Sequence, residues 1–241
     1  MARHFWLLSA LLIAIPLSLN AQPAAQARFD PHVVGPYADS MVTLVRGIPR
    51  GWHTYSLTRD GPGFRYVESY DLTGFGHRQV EISFTPRLVV LRASAHGGEM
   101  GDSSGADVRF AGRHATGWAL VRRAGHMERA PVDTLLPAGA FDGYALMALI
   151  PALHLAPDTT IALTLFDADE NSITTQSLHV GAVQQVSVPA GTFSAYRVDL
   201  STTEAPVVLW YTTSTPHTLV RIGEPAGDFL DVLVSHRIAA Q

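Results

Sequence analysis

The chain has 241 residues, with 17 Lys plus Arg against 21 Asp plus Glu and a formal net charge of −4. It has no Cys, and all of its Lys-plus-Arg residues are Arg. These two absences exclude a thiol nucleophile, a disulfide, Cys-ligated zinc, a Schiff-base lysine and a phosphate-loop lysine. A mildly acidic chain whose one adjacent basic pair is Arg122-Arg123 is a poor nucleic-acid binder, so nucleic acid is not an expected partner.

Residues 1–27 read as a secretory signal peptide. Arg3 and His4 give a short basic start, and Phe5 to Leu19 is an apolar run broken only by Ser9, Pro16 and Ser18. Ala25-Gln26-Ala27 is a small-x-small cleavage signal, and a cut after Ala21 is its rival. The run is shorter than the roughly 20 residues of a spanning helix, contains Pro16, and lacks a basic stop-transfer cluster, so cleavage is expected rather than anchoring. No later segment is apolar and long enough to span a bilayer as a helix, and there is no Cys to carry a lipid. The expected location is periplasmic or secreted, with residues 28–241 forming one β-rich domain held by its core alone.

Within residues 28–50, Tyr37 to Val45 is expected as one short helix, from the spacing of Met41, Leu44 and Val45. Strands and turns follow. Trp52–Thr58 and Phe64–Tyr70 are aromatic-rich and flank the turn Asp60-Gly61-Pro62-Gly63. Val80 to Thr85 alternates cleanly, with Val80, Ile82 and Phe84 on one face. Leu88–Ala93, Ala106–Phe110, Gly117–Arg122 and His126–Thr134 continue the series, with a loose Gly-rich loop, His96 to Gly105, inside it. A short buried helix is expected near 142–150, capped by Asp142 and closed by Pro151. Ile161–Phe166 and Ser172–Val183 form a hairpin, Val186–Val188 is a short strand, and four strands follow: Ala195–Leu200, Val207–Thr212, Thr218–Ile222 and Phe229–Val234. The fold class is mainly β: a curved antiparallel meander forming a half-barrel or open barrel, with the helix on its concave face.

Four patterns carry candidate chemistry. Gly101-Asp102-Ser103-Ser104-Gly105 matches G-x-S-x-G, which needs a strand-to-helix elbow; here it precedes a strand. A Ser-dependent hydrolase using Ser103, with His96 or His114 as base, is therefore the lesser alternative. His96, Glu99, Asp102 and Asp107 fit no metal-ligand template and read as polar loop. Asp167 to Asn171 copies the first half of an EF-hand loop but has Ser172 and Leu178 where Gly and Glu are needed, so it reads as an acidic hairpin turn. Trp52, Trp118, Trp210, Phe193 and Tyr196 read as core aromatics unless a cavity gathers them. No catalytic residue, metal ligand or cofactor is assigned, and the binding residues are left open.

Val188-Pro189-Ala190-Gly191-Thr192-Phe193-Ser194-Ala195-Tyr196-Arg197-Val198, followed by Leu209-Trp210-Tyr211-Thr212 and Pro216-His217-Thr218-Leu219-Val220-Arg221, resembles the C-terminal half of bacterial exported proteins of the domain-of-unknown-function 3108 family. Val132 to Pro137, the Asp142 helix and Leu155 to Thr159 resemble that family's middle segment, and the likeness runs over residues 80–235. Its motif residues are turn and core: Tyr196, Val198 and Leu200 are expected inward. The resemblance implies an envelope protein of unassigned activity, similar in outline to the half-barrel of outer-membrane lipoprotein carriers. The expected function is a non-catalytic exported protein with an apolar ligand or an envelope component as partner; the alternative is a structural or assembly protein without a small ligand.

Overall fold

The computed structural model describes residues 25–123, 125–201, 206–225 and 227–238. The signal-peptide run and the Ala21 cleavage position lie outside the described residues.

After the two-residue strand β1 (Ala25–Gln26) comes an eight-strand meander. Its members are β2 (Tyr37–Val45), β3 (Ile48–Asp60), β4 (Gly63–Leu72) and β5 (Gly76–Phe84), then β6 (Val90–Glu99), β7 (Asp102–Ala111), β8 (His114–Arg123) and β9 (His126–Leu135). The short strand β10 (Phe141–Asp142) leads into a helical segment, Gly143–Ala152, in which 3-10 turns flank the single α-turn α1 (Leu146–Leu149). A second meander follows: β11 (Thr159–Asp167), β12 (Ser172–Val188), β13 (Gly191–Ser201), β14 (Val207–Thr212), β15 (Leu219–Gly223) and β16 (Phe229–Ile238). β16 pairs antiparallel with β2, fusing both meanders into one sheet with the order β1-β11-β12-β13-β14-β15-β16-β2-β3-β4-β5-β6-β7-β8-β9. β1 and β9, at the two ends, are not paired to each other among the described residues, so the barrel is open, as the sequence predicts.

Alternation in the strands sets the inner face. It buries Met41 and Thr43 of β2, Tyr55 and Leu57 of β3, Phe64 and Tyr66 of β4, and Val80, Ile82 and Phe84 of β5. Ala145, Ala148, Leu149, Ile150 and Ala152 of the helical segment pack into the same core. β6 to β9 contribute smaller side chains instead: Ala93, Ala95, Ala106, Ala115, Ala119 and Ala130 are buried beside Val90, Val108, Val121 and Val132. That thin lining leaves room for the far end of the sheet to curl onto Phe166 and Ala168, which share one apolar cluster with β7 to β9. Phe110 meets Phe166 edge-on at 6.4 Å between centroids, and Thr134 Oγ1 donates to Asn171 Oδ1 at 3.1 Å. The open barrel is therefore closed by side chains rather than by a ladder.

Two glycines permit the curl. A Cβ at Gly97 would lie 2.2 Å from the His77 carbonyl oxygen, and one at Gly117 would lie 2.0 Å from that of Asp107. Neighbouring backbones approach there as only Gly allows.

Three expectations are corrected. Tyr37–Val45 is a strand, not a helix. Its Asp39, Met41 and Thr43 alternate inward and it is paired on both sides, so ladder hydrogen bonds and burial outweigh the helix-like spacing of Met41, Leu44 and Val45. His96 to Gly105 is no loose loop: it is a hairpin in which Glu99 pairs with Asp102 and Met100 and Gly101 make the turn with positive φ. Val186–Val188 is no separate strand but the end of the 17-residue β12, whose register shifts between Val180 and Val183. Of the residues expected inward on β13, Val198 and Leu200 are buried and Tyr196 is half-buried.

The helix near 142–150 forms as expected. Asp142 Oδ1 accepts from the Tyr144 backbone N–H at 2.9 Å, while Oδ2 is buried without a partner among the described residues. Burial pushes this carboxyl up to about 8, against the Tyr144 hydrogen bond. An unfolded Asp releases its proton near pH ~4, so the folded chain holds one extra proton between pH 4 and about 8, and stability falls as pH rises through that window. Asp142→Asn keeps the cap and removes the slope. It is expected to raise the urea midpoint at pH 8 and leave it unchanged at pH 4; equal midpoints at pH 8 would show that the carboxyl is not held neutral. Ala119→Leu overfills the closing cluster and is expected to cost about 1–3 kcal/mol in urea unfolding. An unchanged midpoint would mean that the two ends of the sheet are not packed together.

Candidate functional site

β2, β3, β4 and β16 place a buried polar group inside the barrel. His53 Nε2 is 3.0 Å from Glu68 Oε1, and its Nδ1 is 3.0 Å from Asp231 Oδ2 and 2.9 Å from the Tyr55 hydroxyl. Thr43 Oγ1 donates to Asp231 Oδ1, and Tyr66 OH donates to Glu68 Oε2 at 2.8 Å. Burial works against a charged ring at His53, but hydrogen bonds to Asp231 and Glu68 and their charges outweigh it and push the imidazole up to about 9. His53 is thus a cation between two carboxylates, and both ring nitrogens donate.

Apolar cavities open on either side of this group. Tyr37 and Asp39 of β2 line one; Thr43 and Val45 line the other. Along the strand, Tyr37 and Val45 are about 26 Å apart. The Val45 cavity, about 450 Å³, is walled by Leu72, Phe75, Val207, Ile222 and Phe229. The Tyr37 cavity, about 320 Å³, has aromatic walls from Tyr37, Tyr55, Phe193 and Tyr211, with Met147 and Pro151 of the helical segment beneath.

A carboxylate and two imidazoles converge on the Tyr37 cavity. Asp39 is 5 % exposed, and its Oδ1 accepts from His236 Nδ1 at 2.6 Å. Burial pushes the Asp39 carboxyl up, and the His236 hydrogen bond and charge oppose it. His217 Nδ1 donates to the Thr212 carbonyl at 2.7 Å, and its Nε2 has no hydrogen-bond partner among the described residues. Among the described residues, the Tyr211 hydroxyl donates only to Met147 Sδ, at 3.9 Å. An apolar pocket with a few fixed polar groups is the usual form of a small-molecule site.

The sequence pattern of the family described as "Protein of unknown function (DUF3108)" matches residues 39–228. The chain belongs to the DUF3108 family. Among solved structures, it is similar to a beta-barrel-like protein of domain of unknown function DUF1849 from Brucella abortus, at 12% identity and a TM-score of 0.51, over 88% of this chain and 100% of that one. That likeness shows the fold alone. A protein described as a "putative exported protein with YmcC-like fold" from Bacteroides fragilis aligns at 12% identity and a TM-score of 0.30, over 88% and 99% of the two chains. No curated protein matches the chain.

Most of the sequence-derived candidates of this DUF3108 protein fall elsewhere. Ser103 lies on β7 opposite Gly98, exposed and at the mouth of a wide polar cleft, with no hydrogen bond to His96. His114 pairs with Ala111 at the far end of β7, eight residues or about 26 Å away, so it does not reach Ser103. Asp107 is held by Arg92 through two 2.8 Å bonds, and Asp102 by Arg122. The side chain of Glu99 lies outside the described residues, and no cluster of three or more His, Asp or Glu suited to a metal occurs among them. The acidic turn Asp167 to Asn171 serves as a pin: Asp169 accepts from Arg78 at 2.7 Å and from Tyr144 OH at 2.5 Å.

Of the five singled-out aromatics, only Phe193 lines the Tyr37 cavity. Trp52 is 47% exposed, so the core reading fails for it. Trp118 and Trp210 are stacked by Arg129 and Arg221, and Tyr196 packs edge-on to His217 at 6.0 Å. Sequence reading missed Asp39, Tyr55, Tyr211 and His236. The signal was the strand alternation Tyr37-Asp39-Met41-Thr43 and His53-Tyr55-Leu57, which sets polar groups on an apolar face.

The His53 network fixes a pH dependence. Its folded value, about 9, lies above the unfolded value of about 6.5. The stabilisation is therefore fully present below pH 6.5 and is lost as pH rises through 9. Urea unfolding of the parent is expected to weaken across that window, and His53→Gln to remove this component. His53→Ala leaves two buried carboxylates facing each other and is expected to cost about 3–5 kcal/mol at pH 7. A parent profile identical to that of His53→Gln would rule out a charged His53.

Proposed function

We propose that this DUF3108 protein is an exported, non-catalytic open barrel that binds an apolar ligand in the Tyr37 cavity. The observation that carries this reading is the cavity itself, about 320 Å³ with four aromatic walls and a carboxylate shielded from bulk water. A purely structural barrel gains nothing from leaving such a space, because each void forfeits packing energy. Export rests on the signal-peptide pattern of residues 1–27, which supports a periplasmic or secreted location.

Gly35 supplies the test. It lines the cavity, and a Cβ there meets nothing within 4 Å. Gly35→Phe is expected to reduce the space without disturbing the fold. Native mass spectrometry of protein secreted into a bacterial periplasm is expected to show an additional apolar mass on the parent and not on Gly35→Phe. A bare mass for both, together with no uptake of a fluorescent apolar probe, would remove the binding reading and leave a structural or assembly role with an envelope component as partner.

A further inference from the structure

We infer that the ligand of the Tyr37 cavity is an amphiphile whose polar end is an organic cation, held by Asp39 and by the faces of the surrounding tyrosines. This rests on the cavity being a binding site, and it names what the site takes. Three features of the cavity carry it. Asp39 is 95% shielded from solvent, and only Oδ1 is engaged, by His236; Oδ2 has no hydrogen-bond partner among the described residues. Asp39 lines the cavity, so this oxygen is open to a ligand there while the residue is shielded from bulk water, and a ligand ammonium supplies the missing donor or charge. Tyr37, Tyr55, Phe193 and Tyr211 surround the same space, and ring faces attract a desolvated cation.

The third feature is the sign of the local field. No arginine lines the cavity and the chain has no lysine; its basic groups are His217 and His236, and His236 is already committed to Asp39, so a carboxylate or phosphate head meets no permanent cation there. Burial raises the Tyr37 and Tyr211 hydroxyls, and the charges of Asp39 and Glu68 raise both further, which marks a negative potential at the two rings. The His53 cation does not cancel it, because Glu68 and Asp231 both face that ring. An anionic fatty acid is therefore disfavoured and an ammonium favoured, while the aromatic walls hold either chain equally well.

Isothermal titration of the full mature chain with octyltrimethylammonium, octan-1-ol and octanoate at pH 7.5 separates the readings. The ammonium is expected to bind about tenfold tighter than the alcohol, and octanoate weakest. Asp39→Asn keeps a partner for His236 and is expected to abolish the preference for the ammonium while leaving the alcohol unchanged. Tyr37→Leu, at a half-buried position, is expected to weaken the ammonium more than the alcohol, and it carries the test if Asp39→Asn does not fold. Gly35→Phe is expected to weaken all three. Octanol or octanoate binding as tightly as the ammonium would overturn the cation assignment and leave the binding site standing. No binding of any of the three to folded protein would remove the site and this assignment together.

Discussion

A sheet with two free ends must hold a dry inner face, and the helical segment Gly143–Ala152 meets that constraint. It fills the concave side with Ala148, Leu149 and Ile150, and it leads from β9 at one end of the sheet to β11, next to β1 at the other. Tyr144 at its start touches both Arg78 of β5 and Asp169 of the acidic turn, and Arg78 also reaches Asp169 at 2.7 Å. This triad ties helix, meander and turn together where backbone pairing is missing. With no disulfide available, the closure depends on that pin and on the alanine-lined cluster around Phe166.

The polar interior is organised in the same economical way. Buried charges are tolerated when paired and hydrogen-bonded, and His53 satisfies two carboxylates at once while Thr43 and Tyr66 take further carboxylate oxygens. The network sits between the two cavities and divides them. One side combines apolar walls with Thr43, Arg50, Thr73 and Glu224; the other has a carboxylate, two imidazoles and phenol hydroxyls around an aromatic space. That asymmetry, rather than size, singles out the Tyr37 cavity, since the Val45 cavity is the larger.

Much of the architecture was legible because its strands alternate and its turns carry Gly or Asp. Val80 to Phe84, the β11–β12 hairpin and the capped helix all fell where pattern put them. Tyr37–Val45 was misread because Met41, Leu44 and Val45 share a helical spacing, while its strand identity comes from pairing with residues 229–238, nearly two hundred positions away. The site suffered by the same cause. Asp39 and His236 are partners across 197 positions, and His53 and Asp231 across 178. No local window contains such a pair. Loop-borne motifs such as Gly101–Gly105 attracted chemistry that a hairpin does not support.

The junction of β2 with β16 also governs how the chain reaches this state. A chain made or threaded from its N-terminus presents β2 to β9 long before β16 exists. Until then β2 has one neighbour, its other edge is unpaired, and His53 lacks Asp231. Such long-range closure is slow, and an unfilled central edge is where strands from other molecules add. The central position of β16 therefore leaves the middle of the sheet and its buried ion network incomplete until that strand pairs with β2.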